Sequence, residues 1–265
     1  YLLGLVGNVS LPDGTVVDGT NAAKVLMHDV YWNYPVEESD GIFAAVASAA
    51  FDKILGGIGD VDVTKLVGAF ERGAEEGRLI AWMRNDDEQN AIKETGIDAS
   101  LPDPDDPSAD PVAGVYFNNL SFSKLDWYLN ADTQIGQGVK NGDGTCSYRI
   151  TVTLTNIMTQ EEAGKLPDYV AASAPDAARD DERLNVSLFA PTGGNITDLT
   201  VEGTQFGLGA ATWHGIPFYS GTVDLHAGET TTITYTLTTS AEAGDKPLAL
   251  RQTPTCQAAR DSASA

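Results

Sequence analysis

The spacing of hydrophobic and polar positions changes from helical to alternating near residue 113. Ahead of that point, Val9 and Leu11 run into Pro12-Asp13-Gly14-Thr15, a turn composition, and Val16-Val17 follow. Residues 1–18 therefore read as strand, turn, strand. Thr20 is placed to cap a helix through Ala22, Ala23, Val25, Leu26 and Val30, which Pro35 stops. Ser39 or Asp40 caps a second helix, whose apolar residues Ile42, Phe43, Val46, Ala50, Ile54 and Leu55 fall near helical spacing, and Gly56-Gly57 ends it. Asp62 starts a third, with Val63, Leu66, Val67, Phe70 and Ala74 on one face, ending near Gly77. Leu79-Ile80-Ala81-Trp82-Met83 is a short apolar run between Arg78 and Arg84 and reads as a buried strand. Asp86 to Glu94 reads as a short polar helix closed by Gly96.

From 113 onward the period is two. Val115 and Phe117, then Leu125, Trp127 and Leu129, then Tyr148, Ile150, Val152 and Leu154 alternate with polar neighbours. Asn185–Phe189, Ile196–Val201, Phe218–Leu225 and Thr231–Leu237 add strands, with Ala227-Gly228-Glu229 as the turn joining the last two. Many short strands with Gly, Asn and Pro turns predict an antiparallel β-sandwich. The expected fold class is α+β: an N-terminal α/β segment over 1–97, with three to four helices and short strands, then the sandwich over 113–256. Between them, 98–112 carries four prolines and five aspartates. Proline removes donors and like charges repel, so this stretch is the expected linker. Residues 160–183 read as a long loop and 257–265 as a frayed tail.

Charge narrows the partners. The chain has 265 residues, with 16 basic against 38 acidic and a net charge of −22. Residues 1–112 carry 7 basic and 21 acidic groups. Such a surface repels phosphate backbones and anionic lipid, which argues against nucleic-acid and membrane-surface binding. The acidity has two readings, solubility in a crowded or salty exterior and attraction of cations or a basic partner. No run of 18 apolar residues exists, so no membrane-spanning helix is expected. The chain opens on Tyr1-Leu2-Leu3-Gly4-Leu5-Val6, with no polar lead-in, and this reads as an internal start with an upstream part absent.

Candidate chemistry is sparse. His28-Asp29 could be a base with its orienting carboxylate, but neighbours on a helix do not face each other. Trp213 and His214 lie in a Gly-rich loop from Gly207 to Gly215 and are the candidate ligand-binding pair, an aromatic for a sugar face. His226 precedes a turn. Asn141-Gly142-Asp143-Gly144-Thr145 superficially suggests a calcium loop, but the distal carboxylate is missing and a hairpin turn explains it better. Asp86-Asp87-Glu88 complements a helix dipole. Neither a G-x-S-x-G elbow nor a phosphate-binding loop occurs, so no catalytic residue, metal ligand or cofactor is assigned. Cys146 and Cys256 flank the strand-rich region, and a disulfide between them would tie its beginning to its end, as in an exported protein.

Several stretches together carry a resemblance. Asn21-Ala22-Ala23-Lys24-Val25-Leu26-Met27-His28-Asp29-Val30-Tyr31 is followed by Phe43-Ala44-Ala45-Val46-Ala47 and Glu76-Gly77-Arg78-Leu79-Ile80-Ala81-Trp82. Then come Gly114-Val115-Tyr116-Phe117-Asn118-Asn119, Ser123-Lys124-Leu125-Asp126-Trp127-Tyr128-Leu129, Val152-Thr153-Leu154-Thr155-Asn156 and Leu166-Pro167-Asp168-Tyr169-Val170. This order resembles the C-terminal part of the actinobacterial domain-of-unknown-function family 4012. The resemblance implies a cell-surface protein anchored through an N-terminal transmembrane segment outside this sequence, and implies no activity. Leu11 to Leu26, with Asp18-Gly19-Thr20-Asn21-Ala22-Ala23, is also similar to the strand-to-helix passage of the LytR-CpsA-Psr phosphotransferases, which attach glycopolymers to the cell wall and hold a pyrophosphate with arginines after that helix. Asn33 to Phe43 here contains no Arg or Lys and carries Glu37, Glu38 and Asp40 instead. The expectation is a non-catalytic extracellular envelope module, structural or binding a cell-wall glycan or another envelope protein, with part of such a glycopolymer phosphotransferase as the alternative.

Overall fold

The computed structural model describes residues 1–265 except 12, 57–61, 94, 96, 99, 203–208, 258–261, 264 and 265, and except the side chains of 2, 6, 54, 63, 262 and 263. Pro12 of the first expected turn, the helix-ending Gly57 and Gly96, the helix-end residue Glu94, Gly207 of the Gly-rich loop and most of the expected tail lie outside the described residues. The chain forms two compact units, Tyr1–Ser100 with Pro167–Val170, and Leu101–Leu166 with Ala171–Ala265.

The first unit is helical with one small hairpin. Its first residues are a helix, α1 (Leu2–Val6), where a strand was expected. Gly7, at φ 82°, ends α1, a backbone geometry that glycine adopts without steric cost. The hairpin pairs β1 (Val9–Ser10) with β2 (Val16–Val17), and Asp13 accepts from the Thr15 amide inside the turn. The expected first long helix is split into α2 (Ala22–Lys24), a π-helical turn over Val25–Asp29, and α3 (Val30–Asn33). It stops at Tyr34, which is extended because a following proline disfavours the helical region. The next helix, α4 (Val36–Gly56), begins right after Pro35 rather than at Ser39 or Asp40. Ser39 is buried, its hydroxyl donating to the Pro35 carbonyl at 3.3 Å. Asp62 caps α5 (Val63–Glu75) through the Thr64 and Lys65 amides. Asn85 accepts from the Asp87 and Glu88 amides at the start of α6 (Asp86–Lys93).

The expected buried strand at 79–83 is not there. Ile80 and Trp82 are 64% and 75% exposed, and the segment has no regular structure. A strand needs a partner ladder. Among the described residues of this unit, the two sheet strands are two residues long and pair with each other, and Ala81 donates to the Ile97 carbonyl.

The second unit is built from two sheets that share one core. The first has the order β12 (Ala249–Gln252), β3 (Val112–Asn119), β7 (Glu182–Phe189), β10 (Ile216–Leu225), β9 (Gly209–Trp213). The second has the order β13 (Ser262–Ala263), β4 (Leu129–Ile135), β6 (Cys146–Asn156), β11 (Thr230–Thr238), β8 (Asn195–Glu202), with β5 (Val139–Lys140) added on β6. Val115, Val186, Leu188 and Val223 of the first sheet and Ile150, Val152, Leu154, Ile233 and Leu237 of the second belong to one buried cluster.

Several expectations need correction here. The unit is not purely antiparallel: β12 runs parallel to β3, and β13 runs parallel to β4. Trp127 is not in a strand, because Asp126–Tyr128 is a 3-10 turn that delivers Leu129 to β4. Ala227-Gly228-Glu229 is the expected turn between β10 and β11, but the two strands do not pair. It carries the chain from β10 in one sheet to β11 in the other, with Gly228 at φ 81° donating to the Asn156 carbonyl. The acidic Pro-rich stretch is held by this unit from residue 101 on. Thr192, Ser240 and Lys246 donate to the carbonyls of Asp103, Pro107 and Ser108 at 3.0, 2.5 and 2.7 Å. Prolines that cannot donate still offer and expose carbonyls, which is why the segment docks. Within 160–183, the short α7 (Gln160–Ala163) forms behind a capping box of Thr159 and Glu162.

The expected disulfide is also absent: Cys146 and Cys256 are not bonded to each other. Register explains this. Cys146 opens β6, and Asn156, at the far end of that 11-residue strand, pairs with Leu129. The Gln257 side chain donates to the carbonyl of Trp127, two residues from Leu129. Cys256 thus sits by the Asn156 end of β6, about 30 Å from Cys146 at the strand rise per residue. A disulfide needs Cα atoms within about 7 Å.

Candidate functional site

Alternation in the first sheet of the second unit sends two sets of residues to opposite faces. Val115, Phe117, Val186, Leu188, Val223 and Leu225 enter the core. The opposite phase places Gly114 and Tyr116 of β3, Phe189 of β7, and Phe218 of β10 on the outer face. Register brings them into rows: Gly114 pairs with Phe189, which pairs with Phe218, which pairs with Ala211 of β9. The Phe189 and Phe218 rings stack, centroids 4.6 Å apart and planes 8° apart. Tyr116 meets Phe189 edge-on at 5.7 Å. Gly114 makes room for this, since a Cβ there would lie 2.8 Å from the Tyr116 ring and 3.0 Å from the Phe189 Cβ. Burial pushes the Tyr116 hydroxyl above its ordinary pKa, against a lowering by Arg251.

The next row on the same face runs from Tyr116 to Ser187 and Ser220. The Ser187 and Ser220 hydroxyls lie 3.0 Å apart, and Ser220 donates to Asn185 Oδ1 at 3.1 Å. At the other end of the aromatic run, β9 and β10 are joined by a two-residue loop, His214-Gly215, across the Trp213–Ile216 pair. Both loop residues have positive φ, 47° and 82°, the twist that matches a two-residue hairpin. The two residues singled out in the sequence do come together: His214 lies edge-on to Trp213 at 4.1 Å, and Trp213 is 41% exposed. Between Trp213 and the Tyr116–Phe189 pair lies a recess of about 20 Å³, also walled by Leu101, Pro102 and Ile216. It has room for about one water, so the face offers a platform rather than a pocket.

Tyr116, Phe189 and Phe218 were not singled out in the sequence. The available signal was phase: each is an aromatic in the polar phase of a period-two strand. That phase becomes a continuous surface only through cross-strand register, which sequence does not show.

The other candidates are placed as follows. Contrary to the helical-neighbour argument, His28 and Asp29 do touch, Nδ1 to Oδ1 at 2.7 Å, within the π-helical turn. Lys24 also donates to the Asp29 carboxylate, at 2.6 and 2.8 Å, and the His28 ring stacks on Trp32 at 5.4 Å. Burial would raise the Asp29 carboxyl, but Lys24 and His28 outweigh it and lower it. Lys24 is thus paired with Asp29. His226 follows β10, 3.8 Å from the Asp180 carboxylate. Asn141–Thr145 joins β5 to β6, with Thr145 bound to the Asp143 carboxylate and Gly144 at φ 90°. Among the described residues, no group of three or more His, Cys, Asp and Glu is placed to hold a metal ion. Among them, too, no helix is long and apolar enough to cross a membrane.

No family model and no curated protein matches this chain. A solved structure from Legionella pneumophila subsp. pneumophila str. Philadelphia 1, titled a "putative nutrient binding protein", is similar at 11% identity and a TM-score of 0.25. That similarity covers 50% of this chain and 45% of the other, a likeness too slight to inform fold or function.

Proposed function

We propose that this chain is a non-catalytic module of the extracellular cell envelope, whose two-sheet unit, read as a β-sandwich, binds a glycan on its aromatic outer face. The observation that carries the reading is the run of Tyr116, Phe189 and Phe218, flanked by the Asn185–Ser187–Ser220 row and ending at exposed Trp213. Aromatic rings bury the C–H faces of a sugar, and amide and hydroxyl groups alongside exchange hydrogen bonds with its hydroxyls. A platform suits a chain laid along it, whereas a small-molecule site would be concave. Placement in the envelope rests on the resemblance to the actinobacterial family and on the acidity of the chain. The cysteine argument no longer supports it, since the bridge is absent.

The test is a titration with N-acetylglucosamine oligomers followed by NMR, beside affinity electrophoresis in gels containing soluble polysaccharides. Trp213→Ala and Phe218→Ala should each weaken binding roughly fivefold, the worth of about 1 kcal/mol of aromatic contact. Trp213→Ala should leave the unit folded, because the ring is partly exposed and lies outside the buried cluster. Retardation by no polysaccharide, or binding indifferent to both substitutions, defeats the proposal.

A further inference from the structure

The edges of the two sheets differ in how they are protected. An edge strand presents unpaired N–H and C=O groups to any extended chain, and proteins ordinarily blunt it with a charge, a proline or a bulge. β8, an edge of the second sheet, carries Asp198 at φ 53° and Glu202, and its register with β11 breaks between Thr234 and Thr236. β12, an edge of the first, carries Arg251 and is followed by Pro254. β9, the opposite edge of the first sheet, has none of these. It reads Gly-Ala-Ala-Thr-Trp, with every residue exposed and an unbroken register with β10. Among the described residues, no strand or backbone group bonds its other side. It also lies in the longest stretch of the chain without Asp, Glu, Lys or Arg, residues 203–223.

Alternation fixes which groups face the open side. Thr212 lies opposite Pro217, which has no N–H, so these two cannot exchange both ladder bonds. The exchanging pairs are therefore Trp213–Ile216, Ala211–Phe218 and Gly209–Ser220. Ala210 and Thr212 accordingly turn their N–H and C=O groups away from β10.

Such an edge is complementary to itself. Two copies of β9 laid antiparallel about a two-fold axis at Ala211 set Ala210 of each opposite Thr212 of the other, and both pairs exchange both bonds. The same register sets Trp213 of one copy opposite Gly209 of the other. Nothing among the described residues calls for a glycine at 209: its φ is not positive, and an added Cβ would meet only the Ser220 carbonyl oxygen, at 3.8 Å. The open space there is where a facing indole ring would lie, against Gly209 and Ala211. Charge favours the same place, since two chains of net charge −22 repel each other and approach at least cost where neither carries a charge.

We infer that β9 pairs antiparallel with β9 of a second copy of this chain, joining two five-stranded sheets into one. A pair of five-residue strands buries less than a standard stable interface, so the association is weak and forms at high concentration. The inference concerns the edge of the sheet and the glycan reading its outer face. Thr212 has the opposite phase from Trp213, so each is tested without the other.

Sedimentation velocity of the whole chain, from micromolar to millimolar concentration at low and at high salt, reads the association. Dimer should appear toward the millimolar end and increase with salt, which screens the repulsion between acidic chains. Amide exchange of Ala210 and Thr212 should slow as concentration rises, while that of Ala211, already bonded to β10, should not change. Thr212→Pro removes an outward N–H at a position where an edge strand tolerates proline. Ala211→Lys sets two like charges opposite each other at the axis. Each should weaken association at least tenfold. A monomer at millimolar concentration in high salt, a dimer that neither substitution weakens, or Ala210 and Thr212 amides whose exchange ignores concentration would each overturn the inference. Should Thr212→Pro fail to fold, Ala211→Lys and the exchange data still decide it.

Discussion

The two units, of 104 and 161 residues, have very different interiors. In the two-sheet unit, 18 buried residues form one cluster, and Val115, Val152, Leu154, Val186, Val223, Ile233 and Leu237 are wholly inaccessible. Among the described residues of the helical unit the corresponding cluster has eight members, while Phe51, Leu55, Val67, Phe70, Ile80 and Trp82 are each more than two-fifths exposed. Buried apolar area is the main favourable term in folding. The strand unit should therefore be the more stable half, and the helical unit the half with more apolar surface left exposed.

The largest effect should come from the denser core. Leu154→Ala removes a wholly buried side chain and should cost about 2–5 kcal/mol. Val46→Ala, in the thinner core of α4, should cost about 1–2 kcal/mol. Calorimetry should resolve two transitions, the lower belonging to the helical unit, with each substitution moving its own. A single transition shifted equally by both would break the comparison.

A medium effect belongs to Glu182, which enters the core of the strand unit fully buried, with no hydrogen-bond partner for either carboxylate oxygen. Burial first, then the charges of Asp126 and Asp181, push its carboxyl well above the ordinary value. Below the unfolded value, near 4.3, the group is neutral in both states and its stability contribution is complete. As pH rises from there toward the folded value, the unfolded chain ionises first and stability is lost. Glu182→Gln should remove that slope, gaining about 1–3 kcal/mol over wild type at pH 9 relative to pH 5, the scale of an unsatisfied buried group. Urea unfolding at the two pH values measures it, and identical slopes for the two proteins would refute it.

The smallest effect should be none. A bridge from Cys146 to Cys256 would stabilise by roughly 4–5 kcal/mol through its long loop. Adding dithiothreitol should instead leave the melting of the strand unit unchanged. A clear fall in melting temperature, with an oxidised mass lighter by two hydrogens, would show that the cysteines meet after all.

Legibility followed how local each signal is. Asp62 capping α5, the stop at Pro35, and the alternation of β6 and β11 all appear where the sequence places them, because caps, proline and side-chain phase act within a few residues. The apolar run at 79–83 misled because hydrophobicity alone does not supply a ladder partner. His28 and Asp29 were judged apart on ordinary helical geometry, and the π-helical turn that lets them meet has no simple residue signature. Of the candidate site, Trp213 and His214 were legible from an aromatic beside a Gly-rich turn, whereas the Tyr116–Phe189–Phe218 run was not.

By itself, the sequence determined the change of period near 113, the start of α5 at Asp62, the helix stop at Pro35, the turn at Asn141–Thr145 and the acidic character of the whole. These depend on backbone geometry and charge that each residue carries with it. Only the tertiary structure decided that β12 lies parallel to β3, that 101–111 docks on the strand unit, that the two cysteines fall at opposite ends of β6, and that Glu76 gathers Tyr1, Arg72 and Arg78. Each of these joins residues far apart along the chain, and such pairings follow from which faces bury the most apolar surface together, a quantity no short stretch of sequence contains.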